Sequence, residues 1–154
     1  MKNILYILIL MVTFVSCTTE EPTRQYTTAI RNTSDKPLNI LVLGNGENRN
    51  TPVYDTLVNT TLNAGDVILK SSYKTPSFAG FHNGIYSIDI YYTKISFLDN
   101  NKGYICEKDS LNNLCFQNKV SLTEAYYEHD FTFENGIYYY DITQKDYENA
   151  HVLP

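Results

Sequence analysis

The 154-residue chain has no tryptophan and only three cysteines, Cys17, Cys106 and Cys115. Basic residues cluster nowhere, so the phosphate-binding footprint of a nucleic-acid partner is missing. The longest apolar run, Ile4 to Val15, has twelve residues, against the ~20 that a membrane-spanning helix needs. No Lys stands beside a Ser or Thr after Gly44 and Gly46, which removes the phosphate-loop reading of residues 44–52. A His-Glu-x-x-His zinc site and a Gly-x-Ser-x-Gly nucleophile elbow are also lacking. The three histidines, His82, His129 and His151, have no metal-ligand partner at close spacing. In Asp99-Asn100-Asn101-Lys102-Gly103 the glycine is fifth rather than sixth and no distal Glu is in register. That segment therefore reads as a β-turn and not as a calcium loop. No cofactor is implied, and no internal repeat is visible.

What the chain does have is strand chemistry. It holds 14 tyrosines, and Ile, Val, Thr and Phe dominate the rest of its body. Tyr26–Asn32 and Leu38–Leu43 read as strands joined by the turn Thr33–Pro37 into a hairpin. Val53–Leu62, the turn Asn63–Asp66 and Val67–Tyr73 follow. Phe78 and Phe81 are expected to pin the Lys74–Gly84 connection to the body. Ile85–Leu98 is a long strand-like run with a bulge expected near Tyr92–Thr93. Alternation puts Ser87, Asp89 and Tyr91 on one face and Ile88, Ile90 and Tyr92 on the other. Tyr104–Cys106 and Leu114–Leu122 are further strands, and Thr123–Asp130 is an edge strand or short helical turn. Phe131–Phe133 and Ile137–Ile142 form the clearest hairpin, with Asn135-Gly136 at its tip. Thr143 caps a short helix with Asp146 reaching back, and Tyr147 docks on the sheet. Strands of this length, with turns roughly every 8–12 residues, predict an all-β fold. The expected form is an immunoglobulin-like β-sandwich of about 7–9 strands, with a small β-barrel as the alternative. The polar strand, Ala64-Gly65-Asp66 turn and apolar strand resemble a recurring piece of immunoglobulin-like sandwiches.

The N-terminus has its own layout. Lys2 and the start amine precede the apolar run, and Ser16-Cys17 closes it. This arrangement fits an export signal. Phe14-Val15-Ser16-Cys17 resembles a bacterial lipobox, from which Phe14 departs, since that position is usually aliphatic. The resemblance implies that residues 1–16 are a removed signal and that Cys17 is acylated. Residues 17–24 are then a lipidated tether and 25–154 a single domain. Two or three acyl chains make a durable anchor where one does not. Thr18-Thr19-Glu20-Glu21 resembles the acidic export tag of surface lipoproteins in the Bacteroidetes. The implied location is the bacterial outer membrane, on its periplasmic or outer face. Loss of residues 1–16 leaves 138 residues and takes the formal charge from −5 to −6.

With Cys17 lipidated, Cys106 and Cys115 remain as a pair enclosing eight residues. In an exported protein such a pair reads as a disulfide. The spacing is not Cys-x-x-Cys, and the enclosed segment has no His for zinc. Asp55-Thr56-Leu57 and Asp109-Ser110-Leu111 resemble O-glycan acceptor sites of exported Bacteroidetes proteins, with Thr56 and Ser110 as acceptors. Asn32-Thr33-Ser34 and Asn59-Thr60-Thr61 match the eukaryotic N-glycan pattern.

Two groups of residues carry the functional expectation. Tyr126, Tyr127, Tyr138 and Tyr140 are candidates for an aromatic binding patch, with Tyr139 pointing away from its neighbours. Asp89, Asp130, Glu134 and Asp141 are candidates for the facing carboxylates of a glycosidase. The leading expectation is a non-catalytic envelope lipoprotein whose β domain binds a protein or a glycan. The alternatives are an accessory subunit of an envelope complex and a surface glycan hydrolase.

Overall fold

The structure, a computed structural model, describes residues 21–45, 54–81, 90–110 and 112–154. The export signal, Cys17, the start of the tether, His82 and Asp89 lie outside the described residues. Nine strands run through those described: β1 (Arg24–Asn32), β2 (Leu38–Asn45), β3 (Tyr54–Leu62), β4 (Val67–Thr75), β5 (Ile90–Phe97), β6 (Lys102–Glu107), β7 (Thr132–Glu134), β8 (Ile137–Ile142) and β9 (His151–Val152). Among the described residues a 3-10 turn spans Glu128–Asp130, and one short helix, α1, spans Gln144–Glu148. The fold is all-β. Its two packed sheets have the orders β4-β1-β8-β7 and β3-β2-β5-β6-β9. β1 and β8 pair in parallel, and the other pairs are antiparallel. Among the described residues no helix is long and apolar enough to cross a membrane.

Strand alternation builds the core. Leu38, Ile40 and Val42 of β2 face Ile30 of β1 and Tyr140 and Ile142 of β8 in one buried cluster. Thr93, Ile95 and Phe97 extend it along β5. Each fully buried aliphatic or aromatic side chain stabilises by about 1.5–3 kcal/mol. Phe81 is buried and Phe78 half-buried against this core, as the sequence leads one to expect.

The first expected hairpin does not form. β1 and β2 lie in different sheets, and residues 33–37 are a corner between the layers. Asn32 accounts for this. It is fully buried, and its Nδ2 donates to the carbonyls of Lys36 (2.8 Å), Asn63 (3.1 Å) and Leu62 (3.3 Å). Its Oδ1 accepts from the Ser34 amide (3.1 Å) and hydroxyl (2.7 Å). The β3–β4 connection also crosses between sheets, and its Gly65 amide donates to the Asn32 carbonyl at 2.8 Å. One carboxamide thus ties both crossovers together.

Three further corrections concern register and element type. Tyr92 pairs with Leu43 and Ile90 with Gly44, so Tyr91 is a bulge. The bulge sits next to its expected place, but it reverses the alternation. Ile90 points inward, and so do Thr93, Ile95 and Phe97, whereas Tyr92 lies half-exposed on the other side. The Leu114–Leu122 segment is not a strand. Only its first residue touches a ladder, where the Leu114 carbonyl accepts from the Ile105 amide at 3.0 Å. β1 starts at Arg24, paired with Thr75, and so takes the last residue assigned to the tether.

The C-terminal part follows its local signals. Asn135 (φ 51°) and Gly136 (φ 80°) form the tip of the β7–β8 hairpin, both left-handed as a tight two-residue turn requires. Thr143 caps α1. Its Oγ1 accepts from the Asp146 amide (3.2 Å), and its own amide donates to Asp146 Oδ2 (2.8 Å). Tyr147 meets Phe97 edge-on at 5.1 Å. Cys106 and Cys115 are joined in a disulfide.

Candidate functional site

β6, β8, α1 and the coil 112–131 border a groove of about 640 Å³. The disulfide starts it, because it folds the chain after β6 back onto that strand. Phe116 then stacks on Tyr104, with ring centroids 3.9 Å apart and planes tilted by 19°. Three residues on, Lys119 swings inward. Its Nζ lies 4.2 Å from the Tyr140 ring centroid and 4.8 Å from that of Phe116. It donates to the Asp141 carbonyl and to Asp146 Oδ2, the latter at 3.0 Å. Burial pushes the Lys119 ammonium below its ordinary pKa, while Asp146 and Asp141 oppose the shift.

Tyr104 donates its hydroxyl to the Asp146 carbonyl at 2.6 Å. Burial, helped by the Asp146 charge, pushes its phenol up to about 12. His151 Nε2 lies 3.3 Å from the Cys115 carbonyl, so the last strand braces the disulfide.

The opposite wall belongs to the outer face of β8. Arg31 grips Asp141 with two hydrogen bonds, Nε to Oδ1 at 2.7 Å and Nη2 to Oδ2 at 3.1 Å. Its Nη1 reaches Glu134 Oε2 at 2.6 Å. The guanidinium lies 4.1 Å from the centroid of the Tyr139 ring. The hydrogen bonds from these two carboxylates raise the Arg31 pKa. Asp130 accepts from the Tyr127 amide at 3.0 Å and lies 3.6 Å from His129 Nε2.

The four-tyrosine patch is not assembled. Tyr138 and Tyr140 do share a strand face, but it is the inner one. Tyr140 is fully buried, with its hydroxyl donating to the Val120 carbonyl at 2.8 Å, and so belongs to the core. Tyr138 is half-buried among Phe78, Phe133 and Tyr26, at centroid distances of 4.6, 4.6 and 6.1 Å. Tyr126 is half-buried too. Tyr127 is 64% exposed and stacks on His129 at 5.4 Å. Thr56 and Ser110 are exposed. Asn32 is sealed in the core, so its N-glycan pattern is inaccessible.

Of the candidate carboxylates, Asp130 and Asp141 line the groove. Glu134 and Asp141 are joined through Arg31. Sequence reading missed Lys119, Tyr104, Phe116 and Tyr139. A lone lysine between Leu114-Cys115-Phe116 and Val120-Ser121-Leu122 was the one available sign of an inward cation. Among the described residues no cluster of His, Cys, Asp and Glu could hold a metal ion. Comparison of the chain with protein-family models, curated proteins and solved structures found no match.

Proposed function

We propose that this chain is a non-catalytic binding domain, held at a bacterial outer membrane by lipidated Cys17, whose groove takes a glycan. The groove combines aromatic surface from Phe116 and Tyr139 with the side-chain amides of Gln117, Asn118 and Asn149. Aromatic faces offer apolar contact and the amides directed hydrogen bonds, the two things a sugar ring uses. The observation that carries the reading is the state of the three lining carboxylates. Asp141 is held by Arg31, Asp146 by Lys119 and the helix cap, and Asp130 by the Tyr127 amide. Carboxylates committed in this way favour a fixed binding surface over acid–base turnover.

The fold is read as immunoglobulin-like on its strand order. β1, β2, β3, β4, β5 and β6 run in the pairing order of strands B, C, C′, E, F and G of that fold. β8 stands beside β1 where the first strand of that fold would be, but it runs parallel to β1, a departure from that fold's antiparallel sheets.

The test is a glycan array probed with the full-length chain in detergent. Gln117→Ala combined with Asn118→Ala, two exposed groove residues, is expected to weaken binding about tenfold, the cost of one or two hydrogen bonds. The melting temperature should be unchanged. Undiminished binding by this variant would remove the groove as the site. Release of free sugar by the wild type, lost in Asp130→Asn, would replace the reading with the hydrolase.

A further inference from the structure

We propose that the Lys119 amine and the Asp146 side-chain carboxyl are joined in an intramolecular amide bond. Nζ and Oδ2 stand 3.0 Å apart, from residues 27 positions apart in the chain. Both side chains are largely withdrawn from water, with 24% and 12% of their surface exposed. The rings of Tyr140 and Phe116 lie close to the amine, and Tyr104 stacks behind Phe116. Removing a charge from water is costly, and such surroundings disfavour the charged form of the amine. The lowered proton affinity of Lys119 has the same sign.

The hydrogen bonds around the pair suit the product. Besides Asp146, the oxygen that Nζ contacts is the Asp141 carbonyl, which an amide N–H would keep. Asp146 Oδ2 also accepts from the Thr143 amide at 2.8 Å, which an amide carbonyl would keep. Neither of these bonds goes to Oδ1, the oxygen that would leave.

The step balances within the pair. A proton passes from the ammonium to the carboxylate, and the amine nitrogen attacks Cγ. The N–Cγ bond forms, the Cγ–Oδ1 bond breaks, and the oxygen departs as water with a second proton from nitrogen. No oxidant or co-reactant is needed, and fixed proximity supplies a high effective concentration. The groups that face the pair are the Tyr104 hydroxyl from β6, the Tyr140 ring from β8 and the Asp141 charge held by Arg31. The bond would fix coil to helix four residues beyond the disulfide at Cys115 and so clamp one wall of the groove.

The experiment is a tryptic digest of the denatured, reduced and alkylated full chain, read by mass spectrometry. Trypsin does not cut after an acylated lysine. The expected result is no cleavage after Lys119, with the peptide 146–154 joined to the Lys119 peptide and one water lighter than the sum. Lys119→Arg should release 146–154 as a free peptide. Cleavage after Lys119 in the wild type, with 146–154 free, would overturn the proposal whether or not the variant folds.

Discussion

A carboxamide at position 32 can donate and accept at once, and its surroundings need both. Three carbonyls point at its Nδ2, while the Ser34 amide and hydroxyl point at its Oδ1. Asn32→Asp keeps the shape and replaces the donor with a second acceptor. The carboxylate would then be buried against three carbonyl oxygens. The expected cost is at least about 3 kcal/mol, the usual penalty for a buried charge without its partner. Urea denaturation checks this at neutral and at acidic pH. The introduced carboxyl would have a raised pKa in the folded state, so the deficit should shrink as the pH falls and the group takes up a proton. A deficit that is small at neutral pH would mean that the corner does not depend on this side chain.

Among the elements, the coil 112–131 depends most on covalent help. Its first part has one ladder hydrogen bond to β6, from the Ile105 amide to the Leu114 carbonyl, and rests besides on the disulfide, the Phe116 stack and Lys119, whereas Leu122, Ala125 and Phe131 anchor its end in the core. Replacing Cys106 and Cys115 together by serine is expected to lower stability by about 2–3 kcal/mol, the loop-closure contribution for so short a loop. Hydrogen exchange should show the Ile105 amide losing protection while the β2–β5 ladder keeps its own. Equal loss in both would mean that the coil and the sandwich unfold as one unit. The β7–β8 hairpin and α1 are the opposite case. Asn135-Gly136 and the Thr143–Asp146 cap carry their geometry in adjacent residues, and both appear where the sequence puts them.

At the scale of the whole molecule, two buried phenols close the space between β6, β8 and α1. Tyr104 is raised from 10.0 to about 12, and Tyr140 is raised well above 10.0, in both cases chiefly by burial. A raised phenol binds more protons in the folded state, so its contribution is complete below pH 10 and is lost as the pH rises through about 12. Alkaline titration followed by phenolate absorbance should therefore show exposed tyrosines ionising first and the rest ionising together with unfolding. A single smooth titration near pH 10, with the fold intact, would contradict the burial of these two rings.

Some of this was legible in order along the chain, because it depends on neighbours. Period-two alternation marks the inner faces of β1, β2 and β8, adjacent turn residues set the last hairpin, and the even cysteine pair names its own bond. The rest was decided across distances that alternation does not span. A period of two says that Tyr138 and Tyr140 share a face, but not which face meets the other sheet. One bulge at Tyr91 reverses the parity of everything after it. The sheet to which β1 and β2 each belong depends on where the Asn32 donors find acceptors, 30 residues away at Leu62. The groove depends on Lys119 finding Asp146, 27 residues on, in a segment that reads locally as one more strand. Burial and pairing of this kind are properties of the packed whole, and only the tertiary structure could assign them.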